Sequence, residues 1–308
     1  MRFTLRQIEV FVAIARGENV SRAAEALSLS QSATSAALAD LEHQFDRPLF
    51  DRVGKRLRLN EHGRLLLPQA VELLDRAQEL EARLREDDTP GSLKVGATLT
   101  IGNYLAPLIM ADYLQQHPTG QVALTVHNTT TILAQVARYE IDLGLIEGRA
   151  DDPEVEVEPW VEDELVPFCA PTHPLAGHKT VSLDELTPEW WILRERGSGT
   201  RETLERALRH RPEGLRVRLE LEHTEAVKRA VENGLGIGCI SRLALRDAFR
   251  RGSLVPLEVP GLDLSRRFQF AWHRGKYHTA AIRAFLAACR RMTAGARRSH
   301  EIALPPVK

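Results

Sequence analysis

The stretch Leu27-Ser28-Leu29-Ser30-Gln31-Ser32-Ala33-Thr34-Ser35-Ala36-Ala37-Leu38-Ala39-Asp40-Leu41-Glu42 decides how the chain begins to fold. Its apolar residues Leu38 and Leu41, with Phe45 beyond, recur at helical spacing and face one way. Its polar residues Gln31, Ser32, Thr34 and Ser35 crowd into the first turn and a half. Ser30 can cap the helix that starts at Gln31. Just upstream, Ser21-Arg22-Ala23-Ala24-Glu25-Ala26-Leu27 reads as a shorter helix with Ser21 as its cap. Ser28-Leu29-Ser30 is then the turn between them. Two short helices joined by a three-residue turn form a helix-turn-helix, whose second helix offers its N-terminal side chains to base edges.

The flanks extend this reading. Leu5, Ile8, Phe11, Val12 and Ala15 form one face of a first helix that Gly17 ends. Leu49-Phe50 and Arg56-Leu57-Arg58-Leu59 read as two small strands with Val53-Gly54-Lys55 at their tip. Arg52, Lys55, Arg56 and Arg58 make this hairpin a basic wing that can follow phosphates. A basic loop alone is equally compatible with a solvated surface. Short hydroxyl and amide side chains on the third helix can donate to phosphates or read bases. The candidate DNA contacts are therefore Ser21, Arg22, Ser30, Gln31, Ser32, Thr34, Ser35, Arg52, Lys55 and Arg56.

A long helix follows. Asn60 is a good cap and Glu61 suits the positive helix end. Leu66, Ala70, Leu73, Ala77, Leu80 and Leu84 step by alternating fours and threes, an a/d seam that favours a second chain over the alternative, an amphipathic face packed on its own domain. Pro68 should kink the first turns. The stretch from Glu86 to Gly91 stops the helix and reads as a linker.

From residue 92 strands and helices alternate, the pattern of an α/β unit with mainly parallel sheets. Strands are expected at Leu93–Ala97, Val122–Val126, Leu143–Ile146, Leu165–Ala170, Trp191–Leu193, Val217–Leu221, Gly236–Ile240 and Phe268–Trp272. Helices are expected at Asn103–Gln116, Ile132–Tyr139, Thr200–His210, Glu225–Glu232 and Thr279–Met292. The basic tail from Ala294 is read as mobile. In open α/β sheets ligands sit beyond the carboxyl ends of the strands. Such loops hold Thr98, Thr100, Ile101 and Asn103; Asn128 and Thr129; Glu147; and Glu195, Gly197, Ser198, Gly199 and Thr200. Each hydroxyl could be an ordinary cap. Together, on equivalent loops, the hydroxyls and helix N-termini suit a small anion, whereas Glu147 and Glu195, unless paired with nearby arginines, favour a ligand carrying an amine or hydroxyl. Arg194, Arg196 and Arg201 lie close enough to add charge, and the sequence leaves open which of them faces the ligand.

Composition narrows the classes. The 308 residues, 43% apolar, suit two or three domains. Residues 1–60 carry nine Lys/Arg against seven Asp/Glu, and residues 61–90 four against eight. The N-terminus thus permits contact with nucleic acid while the overall charge stays near neutral. No window suits a membrane span and no signal peptide is evident, so a cytoplasmic location is expected. Cys169, Cys239 and Cys289 are isolated, which suggests neither a disulfide framework nor a metal site. Gly234-Leu235-Gly236-Ile237-Gly238 leaves a helix to enter a strand. That order is the reverse of a dinucleotide fingerprint, so Asn233-Gly234 reads as a helix cap.

The quoted stretch, together with Leu5-Arg6-Gln7-Ile8-Glu9-Val10-Phe11 and Pro48-Leu49-Phe50-Asp51-Arg52, resembles the LysR-type transcriptional regulators. The resemblance spans the chain, through Asn60-Glu61-His62-Gly63 to Gly197-Ser198-Gly199-Thr200-Arg201 and Gly234-Leu235-Gly236-Ile237-Gly238. It implies a helix-rich winged helix-turn-helix (residues 1–60) and a linker and dimerisation helix (61–90). It also implies an α/β effector domain (91–293) of two Rossmann-like lobes, similar to periplasmic binding proteins. The first lobe would hold residues 91–161 and 267–293, the second 162–266, with a tail at 294–308. The implied partners are promoter DNA, a small effector in the cleft, RNA polymerase and further copies of the chain, commonly as a dimer of dimers. No cofactor or metal is implied. The Gly-Ser-Gly-Thr-Arg phrase resembles that of members sensing small anions or phosphorylated metabolites, among them regulators of sulfur assimilation and carbon fixation. The sequence departs from the family at Ala36, Ala37 and Asp40, where polar or basic groups are common. Thr34 stands where the family usually has an apolar β-branched residue. Two rivals are an α/β enzyme with an appended helix-turn-helix and a transport-type binding protein. The first lacks a nucleophile elbow, P-loop or triad in the sequence, and the second lacks a signal peptide.

Overall fold

The computed structural model describes residues 2–53, 56–84, 91–210 and 214–303. The chain opens with three helices, α1 (Leu5–Gly17), α2 (Val20–Ala26) and α3 (Gln31–Phe45), and an antiparallel hairpin of β1 (Phe50–Val53) and β2 (Arg56–Leu59). A capping box starts α1: Thr4 and Gln7 each accept a hydrogen bond from the other's backbone N–H. The cap of α2 is Asn19, whose Oδ1 accepts from the Arg22 N–H at 3.0 Å. Ser21, expected in that role, lies inside the first turn because helical backbone begins at Val20. Ser30 caps α3 as expected, accepting from the Ala33 N–H at 3.1 Å. Phe11 meets Phe50 edge-on at 5.9 Å, and Val10, Ile14, Leu38 and Leu41 complete the core around them.

The long helix α4 (Glu61–Leu84) is capped by Asn60, which accepts from the Gly63 N–H at 2.9 Å. It runs on through Pro68. Leu67, Ala70 and Val71 are buried in the N-terminal core, where Tyr139 of the following unit joins them. The expected linker falls mostly on residues 85–90, outside the described residues.

The first lobe runs β3 (Ser92–Ala97), α5 (Leu99–Tyr104), α6 (Ala106–Gln116), β4 (Gln121–Val126), α7 (Thr129–Ala137) and β5 (Leu143–Glu147). Its three strands are parallel, with β3 between β4 and β5. The single helix expected over Asn103–Gln116 is in fact two. Pro107 has no N–H to continue α5, and the chain re-enters helix after Leu105.

Next comes β6 (Val155–Cys169), far longer than the Leu165–Ala170 strand expected. Pro159 and the charged residues around it obscure the pattern. The pairing register shifts near Pro159, between Phe268 and Gln269 of the partner strand, a bulge that suits a residue unable to donate. The second lobe holds α8 (Leu183–Leu186), β7 (Trp190–Arg194), α9 (Gly199–Ala207), β8 (Arg216–Leu221), α10 (Thr224–Glu232), β9 (Ile237–Ser241), α11 (Arg242–Arg251) and β10 (Val255–Pro256). Here β7, β8 and β9 are parallel. Strand β11 (Ser265–His273) then pairs with both β5 and β6, and α12 (Ala280–Met292) covers the first lobe.

The described sheet runs β4-β3-β5-β11-β6-β9-β7-β8, with β10 on β6. Strand β6 pairs with β11 up to Glu164 and with β9 from Leu165, so it carries the chain from one parallel set to the other. The tail is not loose up to residue 303. Ser299 and Ile302 are buried, Arg298 bridges to Glu162, and the Ile302 carbonyl accepts from Arg246 at 2.9 Å. Ile302 supplies the apolar anchor that a count of basic residues hides. Among the described residues no helix is long and apolar enough to cross a membrane.

Candidate functional site

On α3, Gln31, Ser32 and Ser35 are exposed together with Ser30, and Ser21 and Arg22 are exposed on α2. The Ser30 hydroxyl is occupied by capping and lies 3.0 Å from that of Ser32. Arg52 projects from β1 and is exposed; Lys55 and the Arg56 side chain lie outside the described residues. Thr34 corrects the sequence reading. It is fully buried, and its hydroxyl donates to the Ser30 carbonyl at 3.0 Å, so it cannot meet DNA. Helical spacing places residue 34 on the face shared by Leu38 and Leu41. That agrees with the apolar residue the family has there. Phe45, expected in the core, is 46% exposed and forms the edge of an apolar groove of about 420 Å³ with Phe3, Leu41, Leu66 and Leu73.

The seam of α4 divides. Ala70 is buried and Leu66 half-buried against the N-terminal unit, whereas Leu73, Leu80 and Leu84 are exposed at 37%, 59% and 77%. Ala77 is half-buried.

The loops expected at the cleft do converge. Thr130 N donates to the Gly197 carbonyl at 3.3 Å, and Gly199 N donates to the Thr129 hydroxyl at 3.2 Å. Thr129 in turn donates to the Glu147 carbonyl at 2.8 Å. A Cβ on Gly199 would overlap that carbonyl, so glycine lets the lobes touch backbone to backbone. Asn128 caps α7, accepting from Thr131 N at 3.1 Å, which is an ordinary structural role. Ser198 is buried at the start of α9 and caps no amide. One expectation fails: Ile101 is core, packed with Leu105 and Tyr113, while Asn103 is exposed on the last turn of α5. The expected helix begins at Asn103, whereas the helix in fact starts at Leu99, which turns Ile101 inward.

The three arginines also separate. Arg194 is buried and gripped by Glu195 through bonds of 2.8 and 2.9 Å. Arg201 pairs with Glu205 at 2.7 Å and with Glu220. Arg196 is exposed and lines a groove of about 880 Å³ at the cleft mouth, facing Thr130, Leu133 and Arg149 of the first lobe.

The centre of the cleft is held by Arg266, a residue the sequence reading missed. Its Nη1 donates to Thr200 Oγ1 at 2.9 Å, its Nη2 to Thr100 Oγ1 at 3.4 Å, and its Nε to Asp163 at 2.6 Å. Nη2 also pairs with Glu147, whose carboxylate accepts from the Thr100 N–H at 3.2 Å. Burial works against the Arg266 charge, but Glu147 and Asp163 outweigh it and raise its pKa. Strand parity was the available signal, since Phe268 and Phe270 point inward and Arg266 shares their phase. The three cysteines are buried. Burial pushes the Cys169 thiol up to about 11, and those of Cys239 and Cys289 further, so all stay protonated.

Comparison with known proteins places this geometry. Residues 5–64 match the family description "Bacterial regulatory helix-turn-helix protein, lysR family", and residues 86–294 match "LysR substrate binding domain". The chain is 45% identical over 289 residues to the HTH-type transcriptional regulator YeiE of Escherichia coli K12, covering 94% of this chain and 98% of that protein. The regulatory domain of CcmR from Synechocystis PCC6803, solved in complex with 2-PG, superposes with a TM-score of 0.63 at 28% identity, over 68% of this chain and all of that one. Full-length OxyR of Pseudomonas aeruginosa shares the fold, with a TM-score of 0.73 at 22% identity over 94% of this chain and 95% of that one. The two family matches, which between them cover most of the chain, and the 45% identity to a regulator matched over nearly its whole length show that this chain belongs to the LysR family of DNA-binding transcriptional regulators.

Proposed function

We propose that two copies of the chain pair through α4 and that a small anion binding between the lobes resets the geometry of the paired DNA-reading heads. The observation that carries the effector reading is the meeting of Thr100 and Thr200, from opposite lobes, on one buried guanidinium. Around it lie Thr98, Thr129, Ser198 and the backbone N–H of Gly199, groups able to donate to an oxyanion. The first turns of α7 and α9 add favourable backbone dipoles. The similarity to the CcmR regulatory domain, whose complex holds 2-PG, supports the anionic class.

Pairing is supported by the exposed run Leu73, Leu80 and Leu84 and by the apolar groove beside Phe45. Family resemblance extends the reading to a dimer of dimers on two DNA sites, engaging RNA polymerase. Effector and DNA must then alter each other's affinity by the same factor. The test is calorimetry of the full chain with 2-PG, alone and bound to promoter DNA. Thr100→Val with Ser198→Ala should abolish the heat and the effector response while leaving DNA binding intact. If the double variant responds as the wild type does, the effector site is elsewhere.

A further inference from the structure

The guanidinium and the Thr100 N–H that an anion would need are both occupied in this structure, and one occupant is itself an anion. Arg266 is 1% exposed in its side chain and faces two carboxylates. They are held unequally. Asp163 takes Arg266 Nε at 2.6 Å, accepts from Ser241 Oγ at 2.7 Å, and accepts again from Ser299 Oγ. It is the fixed counter-ion of the arginine. Glu147 has the Thr100 N–H at 3.2 Å and its ion pair with Arg266 Nη2. It ends β5 and is followed by Gly148 at φ +100, which gives the chain latitude at that point.

We propose that the Glu147 carboxylate is a resident stand-in for the effector's acid group, and that the effector binds by taking its place on Arg266 and the Thr100 N–H. The inference rests on reading the cleft as an anion site. Charge forces the exchange. Arg266 carries one positive charge against two carboxylates, so the cluster already holds one negative charge in excess. A ligand anion added beside Glu147 would deepen that excess in a buried site, so Glu147 and the ligand cannot both stay. A guanidinium edge, a backbone amide and threonine hydroxyls accept a carboxylate, a sulfate or a phosphate alike. The ligand class is therefore a compact oxyanion. A cation would have to displace Arg266 itself. The exchange also reaches the contact between lobes, because the Glu147 carbonyl accepts from Thr129 and abuts Gly199. Moving Glu147 changes the surface on which the lobes close.

The experiment uses the full chain and inorganic phosphate as probe, in calorimetry, with melting curves as the check on folding. Glu147→Gln removes the competing charge and should bind phosphate about tenfold more tightly than wild type. Adding Thr100→Val should cancel the gain. If wild type binds phosphate through Thr100 but Glu147→Gln binds no better, the stand-in is refuted and the anion cleft survives. If neither protein binds phosphate, both readings fall. A crystal structure of the wild type in phosphate decides the matter without any variant. Phosphate on Arg266 with Glu147 withdrawn supports the exchange, and Glu147 still bonded to the Thr100 N–H overturns it.

Discussion

Lys276 Nζ lies 2.8 Å from Asp75 Oδ2, and this pair, its ammonium buried and its carboxylate half-buried, fastens the effector domain to α4 of the same chain. The same ammonium reaches Asp142 at 2.8 Å, and its side chain is 2% exposed. Glu79, one turn further along α4, accepts from the Ala280 N–H at 2.6 Å and from the Tyr277 hydroxyl at 3.1 Å. Burial raises the Asp75 pKa, and the charge of Lys276 draws it partly back. Removing one partner of such a pair leaves an uncompensated buried charge, at a cost of about 3–5 kcal/mol. Lys276→Met should therefore lower the urea midpoint and split unfolding into two transitions as the domains uncouple. An unchanged single transition would show that the pair does not hold the domains together.

The exposed and buried residues of α3 should respond differently. Gln31→Ala or Ser35→Ala should change sequence preference, whereas Arg52→Ala should weaken binding to all sequences alike and flatten the salt dependence. Thr34→Ala should cost about 1 kcal/mol of stability and leave the preference alone. Binding to a randomised DNA pool, read beside thermal melting, separates the cases. A changed preference in Thr34→Ala would contradict its burial.

Leu73 is exposed in one chain and lines the groove beside Phe45 and Leu66. Leu73→Glu should therefore fold and fail to pair, because pairing would bury the new charge at a cost of several kcal/mol. Sedimentation velocity should show a lighter species, and DNA affinity should fall with it. An oligomer of unchanged mass would mean that this seam faces solvent.

His273 ties stability to pH. Its Nδ1 accepts from the Gly275 N–H at 2.9 Å and lies 2.6 Å from the Tyr139 hydroxyl, so the folded ring is neutral with its proton on Nε2, toward Glu154. Burial lowers its pKa below the ordinary 6.5, with Glu154 pulling the other way; His278 and His300 shift in the same direction. The unfolded chain takes up these protons first. The stabilising contribution is full above pH 6.5 and is lost as pH falls from there through the folded values. Melting temperature should drop as the pH falls below 6.5, and His273→Gln should make the drop shallower. An identical pH profile in the variant would remove His273 from the account.

The sequence alone determined what local chemistry writes plainly. Ser30 before a polar first turn, Asn60 before a long amphipathic helix, and alternating strands and helices from residue 92 set the element types, because caps and periodicity act within a few residues. Tertiary structure decided which way those residues point. Thr34 looks like its exposed neighbours Gln31 and Ser35 until Leu38 and Leu41 of the same helix are seated in the core with Phe11. Strand β6 stayed hidden because Pro159 and its acidic neighbours break the alternation, and pairing with β11 restores it. Arg266 reads as one of two arginines in a polar run until the two crossing strands bring it against Glu147, Asp163, Thr100 and Thr200, partners from 66 to 166 residues away. No local pattern specifies such a group. A charge in the wall between two lobes is stable only when residues from distant elements supply its counter-ions and acceptors together, and that assembly exists only in the folded chain.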